Sequence, residues 1–99
     1  MPFFLCILYM QIANSKAKGK RFVAIFPNGK RINFGQAGSS TYIDHGDNAK
    51  RDAYLARHGA GRENWKDPYS AGALSRWILW GDSKNLMDNI ASFKRRFSV

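Results

Sequence analysis

Cysteine is almost missing from this chain: Cys6 is the single one in 99 residues. That excludes an internal disulfide and a metal site built from cysteines. A lone thiol also points to a reducing compartment. Carboxylates are scarce too, with 7 Asp and Glu against 16 Lys and Arg and a net charge of +9. Such a balance favours acidic partners, whether nucleic acid, anionic lipid or an acidic protein surface. Long hydrophobic runs are lacking. The most apolar stretch, MPFFLCILYMQIA, offers about 12 mostly apolar residues where a spanning helix needs about 20. It has no basic region ahead of it and no small-residue cleavage site, so it does not read as a signal peptide.

What is present suits one small folded domain. Aromatic residues make up 14% of the chain, too many for a disordered basic tail. A core of this size leaves about 5–10 kcal/mol of stability, so burial against a partner is the expected staple. Phe3, Phe4, Leu5, Ile7, Leu8 and Tyr9 read as a buried strand or as an anchor docked on another protein. The competing reading is translation from Met10. Residues 1–13 are thus expected to form an apolar docking arm, residues 14–20 a basic linker, and residues 21–97 a single small α+β domain.

The body opens with RFVAIFPNGKRINFG. Phe22, Ala24 and Phe26 alternate with Val23 and Ile25, a strand pattern, and Arg31 to Phe34 form the return strand. Asn28-Gly29 predicts a two-residue hairpin turn with positive φ at both positions. Three helices should cover this hairpin of about 21–34. The first, about 47–58, starts at Asp47 as N-cap, with Ala49, Ala53, Tyr54 and Arg57 on one side and Gly59 as its stop. The second, about 70–80, is capped by Ser70 and turns Ala73, Leu74, Trp77 and Ile78 inward. The third, about 84–97, is capped by Ser83. Its Leu86, Ile90, Phe93 and Phe97 form an apolar stripe, with Lys94, Arg95 and Arg96 at the end favoured by the helix dipole.

Several side chains invite chemistry. Asp44-His45, with His58 further on, resembles in outline a nuclease of the ββα-metal type, in which a histidine activates water. The structural alternative, a loop histidine and a helix-terminal histidine, carries more weight. Two histidines and one remote cysteine do not make a zinc ligand set, and no cofactor is expected. Lys18, Lys20, Arg21, Lys30 and Arg31 form a basic cluster able to contact phosphates. No RNA-recognition aromatic strand, helix-turn-helix or zinc finger accompanies it. Trp65, Trp77 and Trp80 lie near Arg57, Arg62 and Arg76, and arginine stacks well on such rings. Trp77 and Trp80, three apart, are expected on one helix face. Trp77 reads as core, whereas Trp80, Arg62 and Arg76 read as partner anchors.

Three segments carry a resemblance: FPNGKRINFG, then TYIDHGDNAKRDAYLARHGAGRENWKDPYSAGALSRWILW, then the closing KRRF. Over about residues 20–97 they resemble a family of small basic proteins of nucleocytoplasmic large DNA viruses, including algal chloroviruses and amoebal giant viruses. Its most specific part runs from Tyr42 to Trp80. The apolar segment MPFFLCILYM falls outside the shared pattern. The resemblance implies no catalytic residues and no small-molecule substrate. It implies a virion protein made in the host cytoplasm or nucleus. The favoured expectation is a non-enzymatic minor capsid protein that cements capsomers from the inner side, with the major capsid protein and other minor capsid proteins as partners. The alternative is a basic protein associated with the packaged genome. Non-specific DNA or inner-membrane contact fits either.

Overall fold

The computed structural model describes residues 9–59 and 64–99. Phe3, Phe4, Leu5, Ile7, Leu8 and Arg62, all expected to touch a partner, lie outside the described residues, as does Cys6.

The fold is α+β, as the patterning implies. Three antiparallel strands run in the order β1 (Gln11–Asn14), β2 (Lys20–Ile25) and β3 (Arg31–Gln36). Phe22 pairs with Asn14 on one side and Phe34 on the other, and Ala24 with Ile12 and Ile32. This register puts Ile12, Phe22, Ala24, Ile32 and Phe34 on one face, because side chains alternate along a strand. Four α-helical segments follow among the described residues: α1 (Tyr42–His45), α2 (Asn48–His58), α3 (Ala71–Leu74) and α4 (Leu86–Phe97). The apolar sheet face packs on Leu74, Ile78 and Leu79 and on Ile90 and Phe93 of α4. Phe26, Phe34, Leu74 and Ile78 are wholly buried there. The stripe of α4 behaves as its periodicity implies.

Three details differ from the sequence reading. First, residues 11–14, assigned to arm and linker, form β1 of the sheet. Met10 is fully buried, and its N–H donates to the Val99 carbonyl at 2.7 Å, closing the start of the sheet against the chain's end. The signal was weak because Ile12 is the one large apolar residue in QIAN. Second, the hairpin turn has three residues. The Phe26 N–H donates to the Lys30 carbonyl, and the Gly29 N–H to the Phe26 carbonyl, both at 2.9 Å. Gly29 has φ +89°, whereas Asn28 does not reach positive φ. Pro27, whose ring holds φ near −65°, sets the first corner, and Gly29 takes the left-handed one. Third, α4 begins at Leu86 with Asn85 as its N-cap, accepting from the Asp88 N–H. Ser83 instead donates its N–H to the side chain of Asn89.

Asp47 and Ser70 cap α2 and α3 as expected. From Ser75 to Leu79 the chain continues from α3 as a π-helical turn, in which the Trp80 N–H donates back to the Ser75 carbonyl. No helix among the described residues is long and apolar enough to cross a membrane.

Candidate nucleic-acid interface

A groove of about 670 Å³ lies between α2 and the end of the sheet, with α3 below. Lys20 and Gln36 contribute from the ends of β2 and β3, and Ser39 to Thr41 from the following loop. Lys50, Ala53, Tyr54, Arg57 and His58 of α2 form the facing wall, with Ala71, Gly72, Ser75, Leu79 and Trp80 below. None of the described residues lining the groove is acidic. Lys20, Lys50 and Arg57 are exposed, and the two ion pairs formed among the described residues involve none of them. Gly35 lies on the groove with φ +77°, a conformation that favours glycine, and a Cβ there would sit 2.9 Å from Leu79 Cδ1, so a side chain would force Leu79 to shift within the core.

Aromatic rings join the walls. The Tyr54 and Trp80 rings stack with centroids 4.3 Å apart and planes 4° from parallel. His58 stacks on Tyr54 at 4.3 Å, and His45 approaches Trp80 at 5.4 Å. Two arginines fix Trp80 from behind. Arg51 Nε donates to the Trp80 and Gly81 carbonyls at 3.2 and 2.9 Å, and its Nη2 to Asp82 at 2.8 Å. Arg76 Nη1 donates to the same Trp80 carbonyl at 3.1 Å. Asn89, buried within α4, donates to the Ile78 and Ser83 carbonyls at 2.9 and 2.7 Å. The segment carrying Trp80 is thereby tied to the core on one side and to α2 on the other.

Trp77 and Trp80 do not share a face. Residues three apart on an α-helix stand about 60° apart. The π-turn takes more residues per turn and widens that angle. Trp80 therefore meets α2, whereas Trp77 meets α4. The guanidinium carbons of Arg76 and Arg96 lie 4.1 and 3.8 Å from the Trp77 ring centroid. The Trp77 Nε1–H donates to the Trp65 carbonyl at 2.9 Å, and Arg76 also lies over the Trp65 ring. Burial first, then the repulsion of Arg51, pulls Arg76 below the ordinary arginine range. Its Nε is buried without a hydrogen-bond partner among the described residues.

The residues singled out from sequence scatter. Trp80 and Arg76, expected as anchors, are half-buried parts of the internal framework, and Tyr9 is 65% exposed. Of the five cations, Lys20 lies on the groove. Lys18 precedes it in the β1–β2 turn. Lys30 and Arg31 stand at the opposite end of the hairpin, about 17 Å away along the strand at about 3.3 Å per residue. Lys30 sits over the Tyr69 ring. Arg21 is occupied: its two Nη groups donate to the two Asp44 carboxylate oxygens at 2.7 and 2.8 Å. Lys50 was missed. Its signal was the spacing Lys50–Ala53–Tyr54–Arg57, which overlaps the side of α2 that the sequence reading drew through Ala49, Ala53, Tyr54 and Arg57.

Asp44 and His45 are not arranged as an acid–base pair. Besides Arg21, Asp44 Oδ2 accepts from the Thr41 N–H at 2.8 Å and its hydroxyl at 2.9 Å. The Arg21 hydrogen bonds hold its carboxyl well below the usual range. His45 Nδ1 accepts from the Asp47 N–H at 2.8 Å, which leaves the proton of the neutral ring on Nε2. No group of three His, Cys, Asp or Glu residues converges as a metal site among the described residues.

Comparison with known proteins adds a lineage. The profile of a family of unknown function, DUF5754, matches residues 10–58, which span the sheet, α1 and α2. The match starts at Met10, where the sheet is closed, rather than at the residue 20 from which the resemblance was read. A protein of Acanthamoeba polyphaga mimivirus named uncharacterized protein L851 is 35% identical over 80 residues, covering 72% of this chain and 80% of its own length. No solved structure matches. With a profile match across its sheet and α2, and kin in a giant virus, the chain belongs to the DUF5754 family of unknown function.

Proposed function

We propose that this chain is a virus-encoded, non-catalytic nucleic-acid-binding protein, which holds the phosphate backbone in the groove between α2 and the sheet. One observation carries the reading. Lys20, Lys50 and Arg57 converge on a single concave surface whose described lining contains no carboxylate. Clefts lined by one sign of charge focus the field and concentrate the opposite ion. The half-buried Trp80 and the hydroxyls of Ser39, Ser40 and Ser75 supply the mixed surface that sugar and phosphate require. The test is fluorescence anisotropy with a labelled oligonucleotide in rising salt. Each phosphate contact removed should flatten the log–log slope by about 0.7–0.9. The variant Lys20→Ala/Lys50→Ala/Arg57→Ala should therefore lose about two to three units of slope while keeping its circular dichroism. An unchanged slope would refute the proposal.

A second reading, as a virion structural protein seated on coat subunits, is supported by one feature. Tyr9 is 65% exposed beside the anchored Met10, at the point where the apolar residues 3–8 join the body. Cross-linking on intact particles decides it. Links from Lys16, Lys66 or Lys84 to the major coat protein would support it, and absence of the chain from particles would remove it.

A further inference from the structure

Resting on the nucleic-acid reading, we infer that the groove takes a single strand rather than a duplex, with one nucleotide lodged against the exposed part of the Trp80 indole, since Tyr54 is covered by Trp80 on one face and His58 on the other. Shape argues first. Proteins that read a duplex push a convex helix or ribbon into a major groove about 12 Å wide. Here the free cations face into a hollow of about 670 Å³ instead. Lys50 and Arg57 sit two turns apart on α2, and Lys20 opposes them from the sheet. A duplex would meet only the rims of this hollow, whereas a flexible strand can enter it.

The lining argues second. Sites for single strands add aromatic platforms to a positive track, because every base has a π-face and an unstacked base seeks a new partner. Trp80 lines the groove, half-buried, and is held in place by its contacts with Tyr54, Arg51 and Arg76. Its position is set before any ligand arrives, which lowers the ordering cost of binding. Lys30 and Arg31 at the hairpin tip are exposed but lie outside the groove, and the Tyr69 ring beside them is taken by Lys30.

The test uses the full chain with two probes of equal length, a labelled 20-nucleotide oligothymidine and a 20-base-pair duplex, at one salt concentration. The single strand should bind about tenfold more tightly, and Trp80→Ala should remove about tenfold from single-strand affinity. Trp80→Phe, which keeps a ring, should retain most of it. Where Trp80→Ala fails to fold, the exposed pair Lys50→Ala/Arg57→Ala replaces it and should weaken the single strand more than the duplex. Equal or tighter duplex binding would overturn this inference and leave the nucleic-acid reading standing. Binding of neither probe would overturn both.

Discussion

The sheet, α3 and α4 are joined by hydrocarbon, whereas α2 is fastened to them chiefly by rings and guanidinium groups. On the first side Met10, Phe26, Phe34, Leu74, Ile78 and Phe93 pack without solvent. On the second, Tyr54 is the one buried side chain of α2. Arg51 and the Tyr54–Trp80 stack help to attach α2, while Arg21–Asp44 and the partly buried Ile43 hold α1. The difference shows where a small chain can place a charged groove. A wall that needs little apolar surface can keep lysine and arginine along the side it turns to the cleft.

Substitutions can break this contrast, beginning with the core. Phe26→Ala should cost about 3–5 kcal/mol, most of what a small domain possesses. Urea unfolding should show the whole molecule destabilised, α2 included. Asn89→Ala comes next. It removes the hydrogen bonds to the Ile78 and Ser83 carbonyls and strands those groups, at about 1–3 kcal/mol. The loss should reach both sides, because Asn89 braces the segment that carries Trp80.

Arg51→Ala should act on one side alone. It deletes the contacts to the Trp80 and Gly81 carbonyls and to Asp82, worth about 1–2 kcal/mol. Amide hydrogen exchange should quicken through α2 while α4 keeps its protection. Uniform acceleration would mean that the two sides are one cooperative unit. The smallest effect belongs to Asp44. Its carboxyl is depressed by Arg21, so the contact stabilises the fold fully above the unfolded carboxyl range and fades as the pH drops through the folded one. As a surface pair it is worth about 0.5–1 kcal/mol. Asp44→Asn should flatten the stability profile below about pH 4 and leave the neutral region slightly lower. An unaltered acid limb would show that the pair is not a determinant of α1.

The hydrocarbon side was legible from sequence because burial leaves a period. Phe22, Ala24 and Phe26 alternate, and Leu86, Ile90, Phe93 and Phe97 recur at helical spacing. The caps Asp47 and Ser70 followed from their side-chain chemistry. The ring-and-guanidinium side was not legible, since contacts such as Arg51 with Trp80 link residues far apart without a repeating pattern. The π-turn at 75–79 also left no signature in SRWIL, so Trp77 and Trp80 were assigned one direction where the structure sends them in two. Lys18, Lys20, Arg21, Lys30 and Arg31 were found by type, and Lys50 was not. Only the fold separates Lys20 on the groove from Arg21 locked to Asp44 and from Lys30 at the far end of the hairpin.

The most direct test of the central claim is a nitrogen-15 chemical-shift titration of the chain with a short single-stranded oligonucleotide at moderate salt. Saturable shifts should cluster on Lys20, on the loop from Ser39 to Thr41, on Lys50 to His58 and on the Trp80 indole. Shifts confined to Lys30 and Arg31 at the hairpin tip, or to the last turn of α4, would contradict the assignment of the groove as the binding site.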